Sequence, residues 1–401
     1  MIVDTVDTII AAGNENCCGC GTCALVCPVN AIEMVPRELG CLYPRVNEQR
    51  CIGCSACVQK CAMLHRTVRS DVKPAAFAAM TRDEQLLKKS ASGGVFASIA
   101  GSVLDQGGAV FGCALELRGG TLTAVHICAE NRQDLKKLQG SKYVQSDLGD
   151  VFYRVKKQLN DGRTVLFSGT PCQVDALKRF LGNADTTKLY TIDLVCHGVP
   201  SAALFREYLN TFRHPVLAFF FRDKTAGWGL NGRYTYRSGG REKEKLFSPG
   251  VSSYYSYFLE SETYRESCYS CRYANMDRVG DITIGDYWGI EQEHPELLSE
   301  NGGPYDVQKG ISSVLVNTEK GRALLDCFGR ALILSETSPE KIVKWNRQLR
   351  RPSRHSDARQ EIIRQHETLG YPGVEKLFRN RLGIRWYVKK LKGFLHEQKW
   401  K

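Results

Sequence analysis

The chain has 401 residues, 43% hydrophobic and 24% charged, which is the composition of a globular protein of two or three domains with a real core. No apolar run reaches the roughly 18 residues that span a bilayer, and the N-terminal "MIVDTVDTIIAAGNEN" lacks the basic region and long apolar core of a signal peptide, so no transmembrane segment and a cytoplasmic location are expected. The net charge of +12 is confined to the end of the chain: residues 341–401 hold 17 Lys and Arg against 5 Asp and Glu, and the other 340 residues hold 38 of each sign.

Residues 14–63 are cysteine-dense and turn-rich, and a polar, basic stretch at residues 65–74 reads as a linker. Alternating strand and helix signals follow. "AAFAAM" is a strand, and "SASGGVFASIAGSVLDQGG" is a glycine-rich turn entering a helix. "AVFGCALE" and "TAVHICAE" are strands of a hairpin through "RGG", and residues 141–162 contain a helix with a Gly stop. "TVLFSGTPCQVDALKRFLG" is strand, turn and helix, and "LYTIDLVCHGVP" is a further buried strand ending in a turn. This alternation predicts an α/β core with parallel neighbours. Residues 212–257, aromatic and β-rich with Gly breaks, predict an antiparallel insertion. "DITIGDYWG" and "GISSVLVNT" predict further strands, and beyond Ser335 the pattern is helical and basic. The expected fold is an α+β ferredoxin-type domain (residues 1–66), an α/β core with a mixed sheet and β-rich insertion (75–335), and a basic helical C-terminal tail (336–401).

Seventeen cysteines in a reducing compartment read as metal ligands or redox centres rather than disulfides. "CCGCGTCALVCP" holds Cys17, Cys20, Cys23 and Cys27 at the spacing x2, x2, x3, and "CIGCSACVQKC" repeats it with Cys51, Cys54, Cys57 and Cys61. Three thiolates of each run surround one 4Fe–4S cubane, and the fourth ligates the other cluster. Cluster one therefore takes Cys17, Cys20, Cys23 and Cys61, and cluster two takes Cys51, Cys54, Cys57 and Cys27. Zinc knuckles use the same residues, but two complete four-cysteine runs are the iron–sulfur pattern. Cys18 is supernumerary, Cys41 has no spacing partner, and Ala62 stands where a Pro is common. Two such clusters carry single electrons and perform no bond chemistry alone.

Further on, Cys172 lies after a predicted strand at a helix N-terminus, where the helix dipole favours the thiolate. Cys196 ends the next predicted strand. If these strands are parallel neighbours, both cysteines emerge on one sheet edge, where sites in open α/β sheets collect. Cys268-x2-Cys271 would complete four ligands. The opposing reading has Cys172 and Cys196 as small buried hydrophobes and Cys268–Cys271 as a zinc half-site or inert turn, and spacing leaves both open. Cys113, Cys128 and Cys327 read as core.

"SASGGVFASIA", "LQGSKYVQSDLGDVF", "LFSGTPCQVDALK", "DLVCHGVPS", "FRDKTAGWG", "SCYSCRYA" and "DITIGDYWG" together resemble the beta-subunit family of coenzyme F420-dependent hydrogenases and dehydrogenases, here behind a fused two-cluster ferredoxin domain. A chlorophyll-cycle reductase is also similar, so the family spans several substrates. The resemblance implies FAD and a third 4Fe–4S cluster in the core, with ligands matching Cys172, Cys196, Cys268 and Cys271. For FAD it points to Ser92, Gly93 and Gly94, in a turn whose backbone N–H groups approach a pyrophosphate, and to Gly140, Ser141, Lys142 and Tyr143. It implies an oxidoreductase passing electrons between a deazaflavin-type substrate and a redox partner protein or ferredoxin, with FAD converting hydride pairs into single electrons. Alternatives are a ferredoxin-fed reductase of a different organic molecule and a non-catalytic electron-transfer module. Arg222 and Lys224 are cations for the acidic coenzyme, with a solvated turn as the rival reading. His197 is read as structural, and Asp281 and Asp286 as turn formers or flavin-site residues. In the tail, Ile384, Tyr387, Val388, Leu391, Phe394 and Leu395 share one helical face, expected to pack on the core. Nothing beyond charge suggests nucleic acid.

Overall fold

The computed structural model describes residues 13–65 and 74–384. Apart from Ile384, the tail face predicted above lies outside the described residues.

In the N-terminal unit, two short helices, Thr22–Leu25 and Ala56–Gln59, flank the antiparallel pair β1 (Ile32–Pro36) and β2 (Leu42–Val46). Each helix opens from a left-handed residue, Gly21 and Ser55, which lets the chain turn sharply enough to set three cysteines around one point. The two cysteine runs are thus structural as well as sequence repeats.

The core is built from β3 (Ala75–Thr81), β4 (Ala109–Arg118), β5 (Thr121–Ala129), β6 (Val165–Gly169), β7 (Leu189–Leu194), β8 (Val216–Phe220), β9 (Gly232–Ser238), β10 (Arg241–Phe247), β11 (Ile282–Asp286), β12 (Ser312–Val316) and β13 (Leu332–Thr337). Eight strands form one mixed sheet in the order β13-β3-β12-β11-β7-β6-β4-β5. The central four, β11, β7, β6 and β4, are parallel, and the outer pairings are antiparallel. In β6, Val165, Leu166 and Phe167 are all fully buried, as a strand covered on both faces requires. Leu166 packs with the helices Val95–Asp105 and Glu319–Phe328 on one face. Val165 and Phe167 pack with Val151–Asn160 and Pro171–Leu181 on the other.

Strands β8, β9 and β10 form a separate antiparallel sheet, the expected insertion. Its Phe219, and Phe221 just past β8, pack with Tyr254 and Tyr257 and with Ile362, Tyr371, Val374 and Phe378 of the helices Ala358–Leu369 and Tyr371–Leu382. The chain beyond residue 335 is therefore a covering layer on the core, as far as it is described, and β13 runs through that position.

The N-terminal unit is bolted to the core by side chains that reach backbone carbonyls. Lys60 Nζ donates to the Phe180 carbonyl at 3.1 Å, Arg179 Nη2 to that of Gln59 at 2.9 Å, and Arg272 Nη1 to that of Met63 at 2.5 Å. Ala62, at the position where a Pro is common, is buried in this junction with Val174, Leu177 and Phe180.

Candidate functional site

The two cysteine runs sort into two groups by space as well as by sequence. Cys17, Cys20, Cys23 and Cys61 border one cavity of about 330 Å³. Cys27, Cys51, Cys54 and Cys57 border a second, tighter one of about 20 Å³. In both groups the fourth cysteine comes from the opposite run. Sulfur-directed donors are in place: Gly19 N–H to Cys17 Sγ at 3.4 Å and Ala31 N–H to Cys27 Sγ at 3.1 Å. Among the described residues no group of three or more His, Cys, Asp or Glu converges as single-ion ligands would.

The core cysteines are delivered by the sheet. β6 and β7 are parallel neighbours, so Cys172 and Cys196, just past their C-terminal ends, emerge on one edge. Local chemistry sets Cys172. Thr170 and Gln173 form a reciprocal capping box with Pro171 in the first turn, which starts the helix Pro171–Leu181 abruptly at the strand end. Thr170 Oγ1 lies 3.1 Å from Cys172 Sγ. Cys268 ends a short turn of Glu266–Cys268, and Cys271 follows it. Cys196, Cys268 and Cys271 all feel the charge of Cys172, so the four form one electrostatic group. Burial pushes Cys196 up to about 12 and Cys271 up to about 11. Their thiols stay protonated unless a cluster or metal replaces the protons.

Cys18, with no role by spacing, sits at the junction. It is buried and hydrogen-bonds to both Cys20 and Cys172. The Cys18 bond is the main reason Cys20 is drawn down to about 6, and it lowers Cys172 as well. Arg265, 1% exposed, sits beside it and donates to Gln145 Oε1 (3.1 Å), the Cys17 carbonyl (3.3 Å) and the Leu42 carbonyl (2.8 Å). Gln145 in turn donates to the carbonyls of Cys18 (2.9 Å) and Gly19 (3.2 Å). A Cβ at Gly19 would collide with the Arg265 guanidinium, so close approach requires glycine there.

Against the core cysteines lies a cavity of about 290 Å³. Ser92, Gly94, Gly140, Ser141, Lys142 and Tyr143 line it with Cys18, Cys172 and Cys196. Gly93 does not. Its N–H donates to Ser312 Oγ at 3.0 Å, and a Cβ there would run into the Ala79 carbonyl, so its role is to seat the turn on β3 and β12. Gly94, left-handed at φ 79°, caps the helix Val95–Asp105 without a side-chain acceptor, and Val95, Phe96 and Ala97 border the cavity. Free N–H groups at a helix start facing a cavity fit an anionic diphosphate. Lys142 is not a free cation, because Nζ donates to the carbonyls of Lys137 (3.0 Å) and Gln139 (2.8 Å) and burial lowers it to about 8. Tyr143 stacks on Phe258 at 4.3 Å.

Arg222 and Lys224 are internally engaged. Arg222 pairs with Asp286 at 2.9 Å and bonds Tyr143 Oη at 3.3 Å, while Lys224 Nζ is ringed by the carbonyls of Leu87, Ser92 and Lys309. Lys224 thus braces the Ser92 turn. Asp286 lines the cavity, whereas Asp281 binds Thr191 and Thr318 and is structural. His197 also lines the cavity, with Nδ1 accepting from Gln348 at 3.1 Å. Cys327 is exposed, which corrects its reading as core, and Cys113 borders the cavity.

His126 carries no motif and escapes the sequence reading. It is buried on the cavity wall, 3.0 Å from the Ser168 carbonyl through Nε2 and 2.8 Å from Ser146 Oγ through Nδ1. Gln173 Nε2 reaches the same Ser146 oxygen at 3.0 Å. An inward-facing polar residue in a strand is the available signal.

Comparison with known proteins gives two family matches. Residues 162–341 match the family described as the C terminus of the coenzyme F420 hydrogenase/dehydrogenase beta subunit, and residues 16–63 match the 4Fe-4S dicluster domain. No curated protein matches the chain. Among solved structures, a chain of the F420-reducing [NiFe] hydrogenase complex from Methanosarcina barkeri is similar, at 15% identity and a TM-score of 0.43, over 76% of this chain and 97% of that one.

Proposed function

Because residues 162–341 match the C terminus of the coenzyme F420 hydrogenase/dehydrogenase beta subunit and residues 16–63 ahead of them match a 4Fe–4S dicluster domain, we propose that the chain is an iron–sulfur flavoprotein oxidoreductase of that family. It moves electrons between a hydride-carrying small molecule, with coenzyme F420 as the first choice, and a ferredoxin-type partner protein. Its cofactors are FAD, two clusters in the N-terminal unit and a third in the core.

FAD, when bound, exchanges a hydride on one side and single electrons on the other, which clusters alone cannot do. The chain's residues fit that division. The uncapped helix start after Gly94 receives the diphosphate, Lys224 holds the Ser92 turn in place, and Tyr143 offers an aromatic wall. Cys172, Cys196, Cys268 and Cys271 hold the core cluster. Cys17, Cys20, Cys23 and Cys61 hold the next, and Cys51, Cys54, Cys57 and Cys27 the outermost, where Cys54 is exposed.

The observation that carries this reading is the position of Cys172 and Cys196, which line the cavity and also belong to the core quartet. Reduced coenzyme F420 should bleach the flavin of anaerobically reconstituted protein and drive viologen reduction. No turnover with FAD and iron fully loaded would reject the deazaflavin. One observation favours the second reading, a ferredoxin-fed reductase of another organic substrate: Arg222 is buried with its Nη1 paired to Asp286, and Lys224 Nζ is taken up by backbone carbonyls. Protein that retains no flavin would leave an electron-transfer module.

A further inference from the structure

Residues 341–356 carry Lys341, Lys344, Arg347, Arg350, Arg351 and Arg354 and no carboxylate. The segment is strapped to the cavity wall. Asn346 lines the cavity and its Nδ2 donates to the Asp286 carbonyl at 3.3 Å. Gln348 Nε2 donates to His197 Nδ1 at 3.1 Å, and Ser353 Oγ donates to the His197 carbonyl at 2.7 Å. His197 is itself a lining residue. Arg347, Arg350 and Arg351 lie between these anchors and Arg354 directly follows the last, so the anchors hold all four beside the lining residues Asn346 and His197.

Lys344 is paired with Glu293. Among the described residues, the four arginines have no carboxylate partner, and Arg350, Arg351 and Arg354 are exposed. Arg347 Nε is buried without a hydrogen-bond partner. Their crowding is felt at Arg351, which is pulled below its ordinary value by Arg354, Arg347 and Arg350 in turn. Like charges held together without compensation cost stability, and at a cavity mouth they concentrate a polyanion. Arginine forks match carboxylate and phosphate oxygens in pairs. The segment also lies beyond residue 341, where the family match ends.

We propose that Arg347, Arg350, Arg351 and Arg354 form an anion-binding rim that holds the phosphate- or polycarboxylate-bearing end of the substrate while its redox ring enters the cavity. This rests on the functional reading above and replaces Arg222 and Lys224 as the cations that meet an acidic substrate.

The test uses the full-length, flavin-loaded protein and a triple variant, Arg350→Gln with Arg351→Gln and Arg354→Gln, whose exposed sites spare the core. Lys243→Gln, on an exposed stretch of β10, is the matched control. The probes are coenzyme F420 and inorganic tripolyphosphate. The triple variant should weaken coenzyme binding about tenfold or more, abolish competition by tripolyphosphate and flatten the salt dependence, with Lys243→Gln behaving as wild type. If the wild type binds tripolyphosphate through these arginines but never binds the coenzyme, the rim stands and the deazaflavin reading falls. Unchanged affinity of the triple variant for both probes overturns the rim. Loss of flavin alone overturns it in favour of a flavin-binding role, and slowed delivery to a protein acceptor alone overturns it in favour of an acidic partner.

Discussion

Arg278 reaches Asp193 across 2.9 Å, and both side chains are sealed from solvent. Asp193 also accepts the Gly280 N–H at 2.9 Å, and Arg278 donates to the carbonyls of Tyr273 (2.6 Å) and Leu194 (2.9 Å). The pair therefore ties the loop leaving Cys271 to the end of β7, just before Cys196. A buried pair with its hydrogen bonds satisfied is costly to break from one side, because the survivor is left charged in an apolar site. Arg278→Met is expected to destabilise the fold by about 3–5 kcal/mol in denaturant unfolding and to loosen the core cysteines together. A variant with the wild-type midpoint would show that the pair does not hold this loop.

Arg265 is a buried cation whose titratable neighbours are the thiols of Cys41, Cys17 and Cys18 and the phenol of Tyr43. Among the described residues no carboxylate pairs with it. A reduced cluster carries more negative charge than an oxidised one, so a fixed cation nearby favours reduction. Arg265→Gln should shift the midpoint of one of the two N-terminal clusters to lower potential, read by EPR-monitored titration, and leave the other unmoved. Equal shifts in both, or none, would reject this role.

Iron content separates the ligand assignments. Three clusters require about twelve irons per chain. Cys268→Ala should reduce that to about eight, whereas Cys18→Ala should leave it at twelve while perturbing the EPR of the clusters on Cys20 and Cys172. Eight irons in the wild type, unchanged by Cys268→Ala, would remove the core cluster.

The repeat assigns a different fate to equivalent positions. Cys18 and Ile52 both follow the first cysteine of a run, yet Cys18 is 8% exposed and Ile52 is 64% exposed. The first copy uses this face to meet the core, and the second presents it to solvent beside exposed Cys54. Ile52→Glu should slow electron delivery to a ferredoxin-type acceptor severalfold in stopped-flow, with no effect on flavin bleaching by the substrate. An unchanged rate would place the exit elsewhere.

What the sequence discloses divides along a physical line. Local spacing carries the cysteine runs, because three ligands on one loop need no long-range information. The strand–turn–helix pattern around Cys172 is legible because capping by Thr170, Pro171 and Gln173 is local chemistry. That β6 and β7 are adjacent is only conditional, since pairing partners are set by the whole sheet. Cys18, Arg265 and the segment around Gln348 gain their roles from contacts more than 100 residues away, between Cys18 and Cys172, Arg265 and Cys17, Gln348 and His197. No periodicity reports such contacts. Lys142, Arg222 and Lys224 look like free cations in the sequence for the same reason. The carbonyls and carboxylate that engage them lie on other turns, or turn inward from nearby, as Lys137 and Gln139 do.

His126 links this cavity to acid stability. Burial lowers its imidazole from an ordinary 6.5 to about 4, with the Ser168 carbonyl pulling the other way. The folded protein thus holds it neutral where the unfolded chain would protonate it. Its contribution is fully present above pH 6.5 and is lost as pH falls towards 4, amounting to about 3 kcal/mol. His197, also lowered by burial, acts in the same direction. Unfolding free energy should therefore fall between pH 6.5 and 4, and the flavin proposed for the cavity that His126 lines should be released over the same interval. In His126→Gln the slope should shrink by that amount, since Gln carries no proton to gain. Parallel pH profiles for wild type and variant would mean that His126 titrates alike in both states and that acid lability arises elsewhere.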